Sequence, residues 1–527
     1  MSDRIFVIGI GGTGMRCLES FVHLCGMGMF DDTVVDMLAL DTDRDNGNFR
    51  QLADLVHTYQ DAKGINKEQH TFRNSFFTAK INYYQYSPDY ARQETGNFNR
   101  LTGYGDLKYK TPGQADLADL LLTKDTREFD LKHGYRAQTS LGSLLMYHSI
   151  LEEVATNNKG KLHDFIKQLV TAGQARVFVF GSVFGGTGAS SIPVIPKAFA
   201  EAAKIISPGS SLKDVYFGAV LLTSYFTFKS PSADYVNRQR IVATAEKFAL
   251  NSQAAMMFYN EDKTVLQTYQ RFYMLGTPSI AFQTDQGENE TITGGEKQRN
   301  NSHYLELFAA FAGHHFFKAS YDELAKIRKE PEGARYYYRT IRPDGVIGFE
   351  DLVGDGEDRR RLAHRMGAMV AFNHLVLQAK FFHAAKNNRL LSDNIEGYGD
   401  IDDKEVEAIE RYCSYFNFAL RESGEVGNGW LRQIYQSAGG GDRFLFLPDM
   451  FGATSAKELD KFKYNGKLYK DDFEKHHFGK GLLGYKDPFD PFKSAFKLIE
   501  NDPHVTNKVE KLSKRMFQTL TKLYNFE

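Results

Sequence analysis

The sequence contains few of the residues that cross-link a chain or mark it as secreted. Its 527 residues include three cysteines, one tryptophan and 13 prolines. Cys17 and Cys25 fall on one predicted helix, where their spacing separates them by roughly 12 Å and excludes a disulfide between them. So little cysteine is typical of a reducing compartment, and we expect a cytoplasmic protein.

Long apolar runs and an excess of one charge are also missing. No apolar run reaches the roughly 18 residues of a membrane span, and the first residues (MSDRIFVI) lack the pattern of a signal peptide. The 65 Lys and Arg residues nearly balance the 66 Asp and Glu residues, for a net charge of -1. The surface as a whole therefore does not attract nucleic acid or anionic lipid. We predict no transmembrane segment and no nucleic-acid partner.

Glycine, in contrast, is plentiful, with 46 residues. Some of these glycines lie between predicted strands and helices that alternate along the chain. Apolar runs at 4–10, 34–40, 176–180 and 214–222 have the pattern of strands buried on both faces. A helical pattern follows each of them. This order predicts an α/β fold, with a parallel sheet covered by helices on both faces.

The length predicts more than one domain, because a chain of this size exceeds what one core usually supports. We place a first domain, which contains the predicted sheet, at 1–320, with a buried central helix at about 300–318. Residues 60–135 break the regular order and are interpreted as an insertion. Residues 321–527 have mostly helical patterns and are predicted to form a second, largely helical domain.

Two glycine-rich segments each follow a predicted strand and precede a helix: 9–14 (GIGGTG) and 185–188 (GGTG). Such a turn gathers free backbone N–H groups at the positive end of the helix dipole, where phosphate oxygens bind. The carboxyl ends of parallel strands meet at one edge of the sheet. The two loops are therefore predicted to converge on one phosphate-containing ligand.

Two common phosphate sites can be compared with this pattern. A P-loop needs Gly-Lys-Ser or Gly-Lys-Thr, and neither tripeptide occurs. The dinucleotide fingerprint fits Gly9, Gly11 and Gly14, with Asp41 at the end of the next strand to hold a ribose hydroxyl. It leaves the loop at 185–188 unexplained.

Four segments, 8–14, 40–43, 179–189 and 341–351, resemble in this order the nucleotide-site loops of the tubulin and FtsZ superfamily of GTPases. The resemblance covers roughly residues 1–355. It implies a Rossmann-like domain of tubulin type that binds GTP with Mg²⁺. It names no residues of this protein as metal ligands.

The resemblance also assigns nucleotide-binding residues by position. Residues 223–230 would flank the ribose, and Asn300 or Asn301 would read the base, which leaves the choice between guanine and adenine open. Three positions depart from the family: Arg16 replaces an asparagine, Phe184 a small residue and Ser190 a glycine. The assigned residues are Gly11, Gly12, Thr13, Gly14, Arg16, Asp41, Thr42, Asp43, Gly185, Gly186, Thr187, Gly188, Ala189, Asn300 and Asn301.

Catalysis in this family uses acidic residues that reach into the site of the adjacent subunit. Glu350 and Asp351 occupy the matching segment, 341–355. The resemblance therefore implies a GTPase that assembles head to tail with itself into filaments. The segment also fits an ordinary solvated acidic turn, because further acidic residues follow it.

Two other functions remain open. One is a non-polymerising, nucleotide-sensing scaffold that uses the insertion and the helical half to contact protein partners. The other is an NAD-dependent oxidoreductase, although the sequence shows no recognisable set of residues for hydride transfer.

Overall fold

The computed structural model describes most of the amino-terminal half of the chain and part of the carboxyl-terminal half. The described residues are 3–63, 75–88, 96–131, 134–227, 244–277, 281–282, 295–296, 298, 300–330, 332–340, 356–377, 394, 403–416, 429–438, 490–506 and 508–524.

The elements alternate between strands and helices over the first 340 residues. They are β1 (Asp3–Ile10), α1 (Gly11–Gly26), β2 (Thr33–Leu40), α2 (Gly47–Lys63), β3 (Lys80–Tyr86), α3 (Phe98–Leu101), α4 (Tyr104–Lys110), α5 (Pro112–Leu121), α6 (Lys124–Glu128), α7 (Thr139–Thr156), α8 (Lys161–Ala172), β4 (Ala175–Ser182), α9 (Gly186–Ser191), α10 (Ile195–Ile206), β5 (Val215–Leu222), β6 (Phe226–Thr227), α11 (Phe248–Glu261), α12 (Lys263–Thr268), β7 (Tyr269–Gly276), β8 (Ala281–Phe282), α13 (Tyr304–Lys318), α14 (Tyr321–Lys329) and β9 (Arg335–Thr340). A short 3₁₀ helix, Ala245–Lys247, precedes α11.

The described elements beyond β9 are all helical. They are α15 (Gly356–Leu377), α16 (Asp403–Phe416), α17 (Trp430–Ser437), α18 (Asp490–Lys497) and α19 (Lys508–Tyr524).

Seven of the strands form one parallel sheet in the order β3-β2-β1-β4-β5-β7-β9. β6 and β8 pair separately. The predicted α/β fold with a parallel sheet is confirmed. The strand order reverses direction between β1 and β4, and ligands bind beyond the carboxyl ends of the strands at such a point.

Side chains along the central strands alternate between two cores, as the pleat of a strand requires. In β1, Ile5 and Val7 belong to one core, and Phe6, Ile8 and Ile10 belong to the other. The first core lies under α1, α2 and α13, and the second lies under α7, α8 and α10. Burial on both faces explains why these strands read as continuous apolar runs.

The described carboxyl-terminal helices pack on the same face of the sheet as α1 and α2. Met366 of α15, Tyr412 of α16, Leu431 of α17 and Met516 of α19 all belong to the first core. The boundary at residue 320 between two domains stays a prediction, but these helices share their core with the amino-terminal sheet.

Two strands of the sheet, β3 and β9, differ from the sequence prediction. β3 lies within 60–135, which we interpreted as an insertion, yet it pairs with β2 from Val34–Lys80 to Leu40–Tyr86. Its alternating polar residues hide it, because it is an edge strand and not buried on both faces. β9 was not predicted at all and pairs with β7. The part of the predicted insertion that lies outside the sheet includes α3 to α6.

The predicted central helix is present as α13, which begins at Tyr304. His303 caps it, because its Nδ1 accepts a hydrogen bond from the Leu305 N–H at 3.2 Å and Glu306 reaches back to the His303 N–H at 2.8 Å. None of the described helices is long and apolar enough to cross a membrane.

Candidate functional site

The first glycine loop is the beginning of α1 itself. The helix starts at Gly11 directly after β1, and no side chain caps it and no acidic residue lies in its first turn. Its first N–H groups therefore face the carboxyl edge of the sheet with the positive end of the helix dipole. Gly11 has φ +68°, a conformation that glycine adopts without strain.

Gly14 allows α1 to pack closely on the sheet and does not line the cleft. A Cβ there would lie 2.7 Å from both the carbonyl carbon of Gly9 and the carbonyl oxygen of Phe180. Only glycine lets α1 approach β1 and β4 this closely, so Gly14 fixes where the first loop stands.

The second glycine loop follows β4 and turns into α9. A Cβ on Gly188 would lie 2.5 Å from the Ser182 carbonyl oxygen, so the chain must fold back tightly on the end of β4. A Cβ on Gly11 would lie 3.5 Å from the Thr187 Cβ. The two loops are therefore in direct contact, as the parallel sheet predicted.

The loop after β2 joins them through a hydroxyl pair. The Thr42 Oγ1 and Thr187 Oγ1 atoms are 3.1 Å apart and share a hydrogen bond. Three loops, after β1, β2 and β4, thus form one wall of a cleft, which Asp41 and Asp43 also line.

Burial changes the charge of Asp41. This carboxyl is 3% exposed, and burial, followed by the nearby Asp43, raises its pKa to about 8, against the hydrogen bonds it accepts from the Asp43 N–H and from Thr42. Its Oδ1 accepts the Asp43 N–H at 3.2 Å. Asp41 is therefore largely protonated at pH 7, which removes one negative charge from a cleft suited to anions.

Amide side chains close the cleft on the α2 side. Asn48 and Asn300 pair reciprocally: Asn48 Nδ2 donates to Asn300 Oδ1 at 3.0 Å, and the Asn300 N–H donates to Asn48 Oδ1 at 2.9 Å. Asn46 Nδ2 donates to Gln298 Oε1 at 3.0 Å. Asn300 lines the cleft, whereas Asn301 is exposed and lies outside its lining. Of the two asparagines, Asn300 is thus the one that lines the cleft.

The structure brings together eleven of the fifteen predicted binding residues. Gly14, Thr42, Ala189 and Asn301 do not line the cleft. The eleven that do are Gly11, Gly12, Thr13, Arg16, Asp41, Asp43, Gly185, Gly186, Thr187, Gly188 and Asn300.

The remaining wall comes from residues that the sequence did not assign. Arg136 and Ala137 have φ +45° and +63°, which costs roughly 1–3 kcal/mol for each non-glycine residue and is concentrated at functional sites. A Cβ on Gly186 would lie 2.8 Å from the Ala137 nitrogen. No local signal marks this segment, because it meets Gly186 only through the fold. Phe226 also lines the cleft and lies in the segment 223–230 that the resemblance places beside the ribose. The other lining residues that were not assigned are Ile10, Asn46, Gly134, Tyr135, Ser182, Phe184, Phe248 and Gln298.

Comparisons with known proteins leave the family open. No protein-family model matches the chain, and no curated protein matches it. A similar solved structure is TubZ of Clostridium botulinum phage c-st, in a form with a truncated carboxyl-terminal tail, with a TM-score of 0.25 and 13% identity. The match covers 62% of this chain and 65% of that chain, so it spans less than two thirds of the TubZ structure.

The predicted catalytic residues, Glu350 and Asp351, lie outside the described residues. Among the described lining residues, Asp41 and Asp43 are the only carboxylates. Asp43 accepts the Gly295 N–H at 2.6 Å and the Asp45 N–H at 3.2 Å. Both acids are therefore engaged by backbone groups.

Proposed function

We propose that this protein binds GTP with Mg²⁺ between its two glycine loops, assembles head to tail, and hydrolyses GTP at the contact between subunits. One observation carries the proposal: the loops after β1, β2 and β4 touch each other where the strand order reverses. A phosphate chain placed there meets the uncapped beginning of α1 on one side and Gly185 to Gly188 on the other.

The cleft suits a triphosphate because its lining supplies donors and little negative charge. The described residues contain no group of three or more His, Cys, Asp or Glu side chains that could hold a metal ion. Mg²⁺ would therefore be held by Asp43, or by Asp41 after loss of its proton, together with phosphate oxygens, as is usual for this ion. When bound, it neutralises charge that develops on the transferred phosphoryl group.

Hydrolysis is assigned to a neighbouring subunit because both carboxyl groups in the described cleft already accept backbone hydrogen bonds. Glu350 and Asp351 would supply that group from the next copy. A head-to-tail contact of this kind continues into a filament unless it closes into a ring.

The direct test measures GTP binding, light scattering and phosphate release on the full chain. Thr187→Glu places a carboxylate between the two loops, and we expect it to abolish all three signals by repelling phosphate. Thr187→Ser keeps the hydroxyl beside Thr42 and is the matched control, with signals close to wild type. Full GTP turnover by Thr187→Glu would contradict the placement of the phosphates.

A mixing experiment tests the sharing of the site between subunits. The Glu350→Gln, Asp351→Asn double variant should bind GTP without releasing phosphate, and Thr187→Glu should do neither. In a mixture, the first variant offers an intact cleft and the second an intact acidic segment. We expect phosphate release to reappear only in the mixture, and its absence would remove the catalytic assignment.

Two other functions give different results in the same assays. GTP binding without scattering or turnover indicates a nucleotide-sensing scaffold. Binding of NADH, detected by its fluorescence, in preference to GTP indicates a dinucleotide enzyme. The strand order and the place of Asp41 at the end of β2 are shared with dinucleotide-binding folds.

A further inference from the structure

Arg16 is a buried arginine in the wall of the cleft, one turn into α1. It is 1% exposed and lines the cleft together with Phe226, Phe248 and Phe184. An arginine is almost never buried to this extent unless its charge is paired. The position therefore requires an explanation in terms of its partners.

Two partners hold the guanidinium in place from the side of α13. Arg16 Nε donates to Glu306 Oε1 at 2.5 Å, and Nη2 donates to the Tyr225 hydroxyl at 2.5 Å. The Tyr225 hydroxyl in turn donates to Glu306 Oε1 at 2.5 Å. The Glu306 charge neutralises Arg16, and the clamp fixes the plane of the guanidinium.

The third nitrogen, Nη1, has no hydrogen-bond partner among the described residues. Because the other two nitrogens are engaged and the side chain lines the cleft, Nη1 is the donor that a ligand can use. An arginine held in this way has already lost its conformational freedom, so a bond from Nη1 costs little entropy.

Aromatic rings stand beside this donor. The Arg16 Cζ atom is 5.6 Å from the centre of the Phe226 ring. The Phe184 ring lies 5.3 Å from Phe226 and 4.8 Å from Phe248, centre to centre. These three phenylalanines give the cleft an apolar, aromatic end, opposite in character to the glycine loops, and aromatic side chains stack favourably on nucleobases.

We propose that Arg16 selects the base of the nucleotide, by donating from Nη1 to O6 of a 6-oxo purine that lies against the phenylalanines. Guanine presents two acceptors on this edge, whereas adenine presents N7 and an amino donor in place of O6. A guanidinium can only donate, so it favours guanine and disfavours adenine. This inference rests on the proposed nucleotide site and adds the residue that distinguishes the bases.

The first test compares GTP, ITP and ATP on the wild-type chain, with binding measured by calorimetry. ITP shares O6 and N7 with GTP and lacks only the 2-amino group. We expect ITP to bind within about threefold of GTP and ATP to bind roughly 10-fold more weakly. This is the lower part of the range for an arginine–guanine contact, because one nitrogen donates instead of two.

The outcomes separate this inference from the proposed function. Equal binding of GTP and ATP overturns the role of Arg16 and leaves the nucleotide site standing. Failure of all three nucleotides to bind overturns the nucleotide site itself, and the role of Arg16 with it.

The second test changes the residue. Arg16→Met is combined with Glu306→Gln, because the substitution of Arg16 alone would leave Glu306 as a buried, unpaired charge. We expect the GTP affinity to fall to that for ATP, with the ATP affinity unchanged. The single Glu306→Gln variant keeps the Nη1 donor and should still prefer GTP. Equal losses for GTP and ATP in the double variant would assign Arg16 to the ribose or phosphates and refute base selection.

Where the double variant does not fold, as judged by circular dichroism, Arg16→Lys takes its place. Lysine keeps the charge beside Glu306 but lacks the planar fork, so the preference for GTP over ATP should shrink. An unchanged preference would overturn the inference.

Discussion

Glu19 makes the stability of this protein depend on pH in a way that one substitution can reveal. It lies on α1 one turn after Arg16 and is 2% exposed. Its Oε1 has no hydrogen-bond partner in the described part of the chain, and its Oε2 accepts a long bond, 3.5 Å, from Ser302 Oγ. Burial, followed by the charge of Glu306, raises its pKa from 4.5 to about 8.

The sign follows from which state binds the proton more tightly. The folded pKa of Glu19 lies above its unfolded value, so its contribution to stability is most favourable below pH 4.5 and is lost as the pH rises toward 8. From these two values, ionisation of the unfolded state lowers the free energy of unfolding by about 1 kcal/mol at pH 5 and about 3 kcal/mol at pH 7.

Glu19→Gln keeps the shape of the side chain and cannot ionise. We therefore expect the variant to be more stable than wild type, by a margin that widens by about 2 kcal/mol between pH 5 and pH 7. Urea unfolding at pH 5, 6 and 7, followed by circular dichroism, measures the margin. Glu261→Gln, at an exposed glutamate at the end of α11, is the matched control and should change stability by less than about 0.5 kcal/mol at each pH.

The pH dependence of the stability difference shows whether Glu19 is protonated in the folded protein. Other groups that titrate, Asp41 among them, do so in both proteins and cancel in the difference. A margin that stays constant from pH 5 to pH 7 would show that Glu19 is not protonated in the folded protein, and a less stable variant would show that its carboxylate has a partner.

Two further predictions concern the cleft. Gly188→Ala forces a Cβ to 2.5 Å from a backbone oxygen and should abolish nucleotide binding, measured by calorimetry. Gly113→Ala is the control, because its Cβ would lie in open space on α5, and it should leave binding unchanged. Normal binding by Gly188→Ala would contradict the tight second loop. Asp41 has a pKa of about 8, so without Mg²⁺ the affinity for GTP should fall between pH 7 and pH 9 as this carboxylate becomes charged beside the phosphates. Asp41→Asn should remove most of that fall, and an equal fall in both proteins would place Asp41 away from the phosphates.

Local patterns predicted the centre of this fold well. The runs at 4–10, 34–40, 176–180 and 214–222 are β1, β2, β4 and β5, because strands buried on both faces must be apolar throughout. The glycine loops were also visible, since a turn between strand and helix that approaches another backbone closely requires glycine. The edge strands β3 and β9 were not predicted as strands of the sheet. They are covered less by other elements, so their residues need not be apolar.

What the sequence by itself determined is therefore the parallel sheet and the two glycine loops at its carboxyl edge, which follow from period, apolarity and glycine alone. Tertiary structure alone decided which residues meet in the cleft. Asn48 and Asn300 are 252 positions apart, and Arg16 and Glu306 are 290 apart. Contacts over such separations depend on how whole helices pack, so no local pattern contains them. The same packing leaves Arg16 Nη1 without a hydrogen-bond partner among the described residues, and the proposed selection of the base depends on this contact pattern.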